Sequence, residues 1–393
     1  MIKREKYLSR IRGFYNSDLI KVITGVRRSG KSVILDQIKE EIGKLSTNIV
    51  SLNFEDRAIT STIKTWEDIV NHVQANRSSD ELCYVFLDEV QEIKDWAIAV
   101  RTLRVKNCSV FITGSNSKLL SSEFTQELSG RYVAFRVRPF VYTELQEYAK
   151  ELNKTVSISD YLIWGGFPKR IEFSPADQRR YLNDLDETIV INDIITRYRI
   201  RKVEDFKKVV NFILISNSRI YSYRSISATL QGQGHAISAN TIQKWISYLA
   251  EAYVIDQIPR YSRKAKKELE ESHKLYDCDV AINSIRVSDG RFDLTHNLEN
   301  IVYNELVFRD YKVSVYDNNG KEIDFLAIKD NKQYYIQVAY SVVDEKAYNR
   351  EFIAFSNIDQ SNKKILITND DIDYSTSTVQ HIKLSDFLNG AEL

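Results

Sequence analysis

Residues 18–32 read Asp18-Leu19-Ile20-Lys21-Val22-Ile23-Thr24-Gly25-Val26-Arg27-Arg28-Ser29-Gly30-Lys31-Ser32. The first seven are apolar and β-branched enough for a buried strand, and Val33 to Lys39 has apolar positions that fit a helix. A glycine-containing turn between a strand and a helix is the setting of a phosphate-binding loop. Gly25 and Gly30 permit backbone turns that a side chain would block, so the peptide N–H groups of Val26, Arg27, Arg28 and Ser29 can close around phosphate oxygens. The positive end of the next helix adds to that field. Lys31 then reaches the β- and γ-phosphates as a point charge, and Ser32 is placed to ligate Mg²⁺.

The bulk properties leave room for this reading and close off others. A length of 393 residues predicts two or three domains. A hydrophobic fraction of 43% with only 4 prolines describes a globular chain, and a net charge of +1 demands neither nucleic acid nor a membrane surface. Cys83, Cys108 and Cys278 have neither metal-ligand nor disulfide spacing and are expected to be reduced thiols. Met1-Ile2-Lys3-Arg4-Glu5-Lys6 leads into no signal-peptide core, and no run approaches the roughly 18–20 apolar residues of a membrane span. The expected location is the cytoplasm.

Downstream, Asn48 to Phe54 reads as a second strand and Trp66 to Val73 as a helix with Trp66, Ile69, Val70 and Val73 on one face. Cys83-Tyr84-Val85-Phe86-Leu87-Asp88-Glu89 is an apolar strand ending in two acids. Such strands are common, but at this distance from a phosphate loop the pattern assigns Asp88 to Mg²⁺, opposite Ser32, and Glu89 to polarising the attacking water. Ser109 to Thr113 is another buried strand, followed by Gly114-Ser115-Asn116. Ser115 or Asn116 is placed to hydrogen-bond the γ-phosphate or the water, although the same residues also favour plain turns. Arg131, between Ser129-Gly130 and the strand Tyr132 to Val137, is either a surface residue or an arginine that meets a γ-phosphate, its own or a neighbour's.

Five segments together resemble one prokaryotic family: Ile23 to Ser32, Phe86-Leu87-Asp88-Glu89-Val90-Gln91, Ile112-Thr113-Gly114-Ser115, Ser129-Gly130-Arg131 and Gly165-Gly166-Phe167-Pro168. These are AAA+-type ATPases followed by a C-terminal domain of uncharacterised function. The resemblance implies ATP as the nucleotide and an α/β fold with a parallel sheet carrying an extra strand between the phosphate loop and the acidic strand. It also implies Lys31 and Ser32 in binding, Asp88 and Glu89 in metal and water handling, and Arg131 as an arginine finger or sensor.

The P-loop ATPase domain is expected over residues 1–140, and a helical lid over 141–202. In the lid, Asp184, Asp186, Glu187 and Asp193 are expected on a solvated face. Residues 203–285 read as three helices and a basic hairpin, the components of a winged helix-turn-helix. Its third helix, capped by Ser238, offers Asn240, Gln243 and Lys244 to a DNA groove; Arg260, Arg263, Lys264, Lys266 and Lys267 lie on the hairpin. The same shape also serves protein contacts.

Residues 286–393 give a helix carrying Glu305 and strands carrying Asp324 and Gln337, an order that resembles the PD-(D/E)xK nuclease (restriction-endonuclease-like) core. In that pattern acids and a lysine bind metal and activate water. Gln337 replaces the strand acid and Ala339 the lysine, so the expectation is a nuclease-like fold that does not cut. The expected function is an Mg²⁺-dependent ATPase that couples nucleotide state to a C-terminal module. Candidate partners of that module are double-stranded DNA, a protein client or a second copy of the chain, with no membrane. The alternative is a nucleotide-gated DNA-binding regulator with negligible turnover; an ATP-dependent nuclease is disfavoured.

Overall fold

Uninterrupted apolar runs become strands covered on both faces. In a computed structural model, which describes residues 2–114, 128, 130–262, 267–287, 290–318 and 320–393 (backbone alone for 190–192, 262 and 267–272), every residue of β1 (Ile20–Thr24), β3 (Cys83–Asp88) and β4 (Cys108–Thr113) is buried. With β2 (Ile49–Asn53) and β5 (Tyr132–Arg136) they form an all-parallel sheet in the order β2-β3-β4-β1-β5. The extra strand, β4, lies between the strand that feeds the phosphate loop and the strand that ends in acids, as the resemblance implied.

The helices of this unit are α1 (Glu5–Arg12), α2 (Lys31–Gly43), α3 (Arg57–Thr62), α4 (Trp66–Asn76) and α5 (Trp96–Val105). Ile69, Val70 and Val73 turn inward from α4, whose start is fixed by a capping box between Thr65 and Asp68. They join Val85, Leu87, Val110 and Ile112 in one apolar cluster.

Contacts divide the chain into two units: Met1–Pro139 with Glu251–Tyr253, and Phe140–Ala250 with Val254–Leu393. The second unit begins with helices Tyr142–Glu151 and Ile158–Trp164. The bend at Gly165-Gly166 has a steric cause. A Cβ on Gly166 would lie 1.8 Å from the Phe140 carbonyl oxygen, and the Gly166 N–H donates to Asp279 Oδ2 at 2.6 Å. The helix Pro175–Asp186 runs through a π-helical stretch, Glu187–Asp193, into Ile194–Tyr198. The expected solvated face fails at Asp186. Both of its carboxylate oxygens accept from Arg286 at 2.7 Å in a largely buried pair, because a charge facing the interior needs its countercharge there.

Helices Val203–Ile215, Tyr223–Gly232 and Ala239–Glu251 precede β7 (Ile255–Ser262) and β8 (Lys267–Asp277), with the short β6 (Ile220–Tyr221) against β8. The boundary expected at 285/286 does not end the sheet. β7 runs parallel beside β9 (Lys312–Asn318), pairing Tyr261 with Tyr316. With β10 (Lys321–Lys329), β11 (Lys332–Ala339), β12 (Lys363–Thr368) and β13 (Gln380–Lys383) this makes one mixed sheet, β13-β12-β11-β10-β9-β7-β8-β6. The free edge of the hairpin is satisfied by the backbone of the tail, a pairing that residue types do not announce.

One residue in the apolar heart of the first unit is charged by type. Lys21, in β1, is fully buried; its Nζ donates to Ser109 Oγ at 2.7 Å and to the Ser17 carbonyl at 3.0 Å, and lies 4.5 Å from the Phe111 ring centre. Burial lowers its pKa to about 7, against a weaker opposite pull from Asp18. The unfolded chain holds that proton to a pH of about 10.4. Between the two values the unfolded state binds more protons, so stability rises as pH climbs from about 7 toward about 10.4. Lys21→Met should flatten that rise in melting temperature measured across the window; an unchanged slope would show that Lys21 is not its source.

Candidate active site

The phosphate loop is built by backbone conformations that only some residues adopt. Gly25 has φ +142° and Gly30 φ +96°, and Arg28 also sits in the left-handed region at φ 65°. A Cβ on Gly25 would stand 2.1 Å from the Val137 carbonyl oxygen. Gly30 is the N-cap of α2, so the loop opens directly on the positive end of that helix. Arg4, which sequence reasoning passed over, is buried beneath the loop: its guanidinium donates to the carbonyls of Ser29 at 2.9 Å and Arg138 at 3.0 Å. It fixes the loop from behind across 25 and 134 residues of chain.

Lys31 is buried, and its Nζ donates to the Val26 carbonyl at 3.2 Å. Burial lowers its pKa; Glu89 and Asp88 pull it back up. The Ser29 Oγ is buried with no hydrogen-bond partner among the described residues, an orphaned polar atom inside the loop. Opposite stands Asp88, the last residue of β3. Its Oδ1 accepts from Ser32 Oγ at 3.2 Å and from Thr113 Oγ1. Burial raises the Asp88 pKa, which the two hydroxyls partly offset. A hydroxyl and a carboxylate side by side, both oxygen donors, fit Mg²⁺ chemistry.

Glu89 follows in the left-handed region at φ 51°, a conformation that re-aims its side chain away from the strand direction. Its N–H donates to Thr113 Oγ1 at 3.0 Å, and its Oε2 accepts from Gln91 Nε2 at 2.5 Å. Thr113 therefore contacts both acids at the end of β4. Ser115 and Asn116, assigned to that role from sequence, lie outside the described residues. A polar residue closing an otherwise apolar strand was the available signal for Thr113.

Arg131 does not share this end of the sheet. β5 pairs with β1 from Ile20 opposite Tyr132 to Thr24 opposite Arg136, and the Ile20 N–H donates to the Arg131 carbonyl at 2.9 Å. Arg131 thus stands where β1 begins and the phosphate loop where it ends. Five residues at about 3.3 Å each separate them, farther than a side chain reaches. Action on its own γ-phosphate is ruled out. With Arg101, Arg104 and Lys106 it lines a basic hollow of about 500 Å³.

Of the DNA-contact candidates, Asn240, Gln243 and Lys244 share the exposed face of helix Ala239–Glu251, opposite buried Ile242, Trp245, Ile246 and Leu249. Arg260 is a correction: it pairs with Asp317 of β9 at 3.0 Å and is largely buried, because β7 lies within the sheet. Arg263, Lys264 and Lys266, and the side chain of Lys267, lie outside the described residues. In the tail, Glu305 is taken by Arg309 at 2.7 Å; a helix acid that faces Asp324 is Glu299, about one and two-thirds turns earlier. Position on an amphipathic helix does not decide between the two.

A five-strand parallel sheet, this loop and this acidic strand end define a P-loop ATPase fold. Residues 17–146 match the AAA domain family, and residues 155–288 match a domain of unknown function. The chain is 34% identical over 378 residues to an uncharacterized protein of Haemophilus influenzae, covering 94% of this chain and 93% of the relative. It is 28% identical over 378 residues to an uncharacterized protein of Methanocaldococcus jannaschii, covering 90% and 82%. The chain belongs, with the Haemophilus protein, to one prokaryotic family of AAA-type P-loop ATPases. Among solved structures, a Walker-type ATPase of Pyrococcus abyssi shares the fold with TM-score 0.51 at 16% identity, covering 73% of this chain and 96% of that one.

Gly25→Ala should lower stability by more than ~1 kcal/mol in denaturant unfolding, since the new methyl meets a carbonyl in a conformation L-residues avoid. Gly13→Ala, with open space around it, is the control and should be near neutral. Equal midpoints for the two variants would contradict the described loop.

Proposed function

We propose that the first unit binds ATP with Mg²⁺ and hydrolyses it. The observation that carries this is the convergence of Lys31, Ser32, Asp88, Glu89 and Thr113 at one sheet end, beside a loop whose Gly25 and Gly30 have positive φ. Residues 26–29 and the Lys31 ammonium hold the β- and γ-phosphates. Ser32 and Asp88 would hold Mg²⁺, which when bound neutralises phosphate charge. Glu89, aimed by its left-handed backbone and held by Gln91, accepts a proton from water as the water oxygen attacks the γ-phosphorus. The bond from the γ-phosphorus to the bridging oxygen breaks, and ADP leaves with that electron pair. Thr113 keeps the two acids in register.

Nucleotide state is coupled, in this reading, to the second unit, which binds double-stranded DNA through the exposed face bearing Asn240, Gln243 and Lys244, or a protein client on that same face. Arg131, too far from its own phosphate loop, acts on the nucleotide of a neighbouring copy in a homo-oligomer. The setting is the cytoplasm. A nucleotide-gated DNA-binding regulator with negligible turnover is the competing reading, and hydrolysis separates the two.

Lys31→Ala should abolish nucleotide affinity in calorimetry. Glu89→Gln should bind ATP as the wild type does while turnover falls about 100-fold or more. Undiminished phosphate release from Glu89→Gln would remove that carboxylate from the mechanism. Salt-sensitive DNA binding that responds to ATP, with almost no release by the wild type, would favour the regulator.

A further inference from the structure

The second unit contains a nest of carboxylates gathered around one amine. Lys274, on β8, is 3% exposed, and its Nζ lies 2.6 Å from Glu299 Oε1, 2.7 Å from Glu322 Oε1 and 3.4 Å from Asp324 Oδ1. The acids come from the helix Leu294–Phe308 and from β10, so the chain assembles them from separate elements. Tyr276 donates its hydroxyl to Glu299 Oε1 at 2.6 Å, and the stacked rings of Tyr276 and Tyr303, 4.4 Å apart, with Phe325 5.6 Å from Tyr276, form an aromatic neighbour. Three converging carboxylates are the donor set a hard divalent cation takes. Here the position at their centre is filled.

We propose that the Lys274 ammonium stands in the place of a divalent metal in this nest, so that the C-terminal unit carries its cation covalently and admits no metal there. Three observations carry it. The first is charge. A lysine in such burial would tend to lose its proton, but Glu299, Asp324 and Glu322 outweigh burial and hold its pKa above the ordinary lysine value. The second is the loser of the competition. Asp324 has the longest contact to the amine, and burial followed by Glu299 pushes its pKa well above the carboxylate range. Its other oxygen, Oδ2, accepts from the Val338 N–H at 2.9 Å, so half of this carboxylate is already committed to the backbone and not open to a metal.

The third is position 337, where an acid would add a further negative charge. Gln337 instead spends both ends of its amide on structure: Nε2 donates to Glu351 Oε2 at 2.7 Å, and Oε1 accepts from the Asp324 N–H at 3.3 Å. A glutamate there would put its charge against Glu351 and beside Asp324. The amide at 337 and the amine at 274 are two halves of one adjustment, from a nest that needs a +2 ion to one that +1 satisfies. Ala339, where the sequence resemblance expects a lysine, is buried in the core, and the amine enters from β8 instead. This inference concerns the second unit alone and is independent of the nucleotide site.

The test uses the full chain without nucleotide, in an Asp88→Asn background that removes the carboxylate of the first unit's own candidate metal pair, with Mn²⁺ as probe, melting temperature and Mn²⁺ electron paramagnetic resonance. In that background the melting temperature should be unmoved by Mn²⁺ while Lys274 is present. Lys274→Ala should melt several degrees lower, regain part of the loss with Mn²⁺ and show a bound-Mn²⁺ signal; the double variant Lys274→Ala/Asp324→Asn should lose both responses. A folded Lys274→Ala that ignores Mn²⁺ overturns the proposal. So does a wild-type Mn²⁺ site that Asp324→Asn removes. Should Lys274→Ala fail to fold, Asp88→Asn alone and Asp88→Asn/Asp324→Asn decide: the same absence of bound Mn²⁺ in both supports the proposal, and a site present in the first and lost in the second overturns it.

Discussion

The first unit depends on one carboxylate. Asp88 ends a strand buried on both faces, so its charge has no water and must be met by what the neighbouring strand and helix supply. Ser32 arrives from the start of α2 and Thr113 from the end of β4. These contacts require β4 to lie beside β3 and β1 to lie beside β4, which is the sheet order found. The loop with its two positive-φ glycines packs against the segment Val137-Arg138, and Arg4 ties the Ser29 carbonyl to that of Arg138. The loop's conformation is thus set by its glycines and by Arg4, and the one carboxylate faces two hydroxyls. Pre-arranged donors in a dry site act on developing charge without first reorganising, which is what phosphoryl transfer asks of a protein.

The second unit treats buried charge in the opposite way. Several of its buried acids meet a cation from within: Asp186 meets Arg286, Glu305 meets Arg309, and Glu299, Glu322 and Asp324 meet Lys274. Breaking such a pair leaves an isolated buried charge, whereas keeping it fixes which elements sit together. Two of these groups bridge distant segments, Asp186 to Arg286 across 100 residues and Lys274 of β8 to the helix Leu294–Phe308 and to β10, whereas Glu305–Arg309 lies within one helical turn. The joining of β7 to β9 works toward the same end through the backbone. A sheet that passes from hairpin to tail without a break gives the expected winged-helix and nuclease-like segments a common core. Arg260 pairs with Asp317 for that reason.

Much of the candidate nucleotide site was legible because its residues are sequence neighbours that set local backbone geometry. Gly25, Gly30, Lys31 and Ser32 are read from one turn, and Asp88 and Glu89 from one strand end. Gly25 and Gly30 have the positive φ that the turn demands. What escaped reading was contact across the chain. Thr113, Gln91 and Arg4 acquire their roles from adjacency in space, and Arg131 loses its cis role because β5 runs parallel to β1 from the far end. In the tail, the acids of one helix are alike on paper, and only packing selects Glu299 over Glu305 to face Asp324.

By itself, then, the sequence determined the class of sheet, the phosphate loop and its acidic counterpart, since hydrophobic period and glycine placement are properties of a few consecutive residues. The tertiary structure alone decided which end of the sheet each charged residue occupies, that hairpin and tail share one sheet, and that a lysine fills the acidic nest. Those are matters of strand order and register, set by burial summed over the whole chain, and no short window of residues contains them.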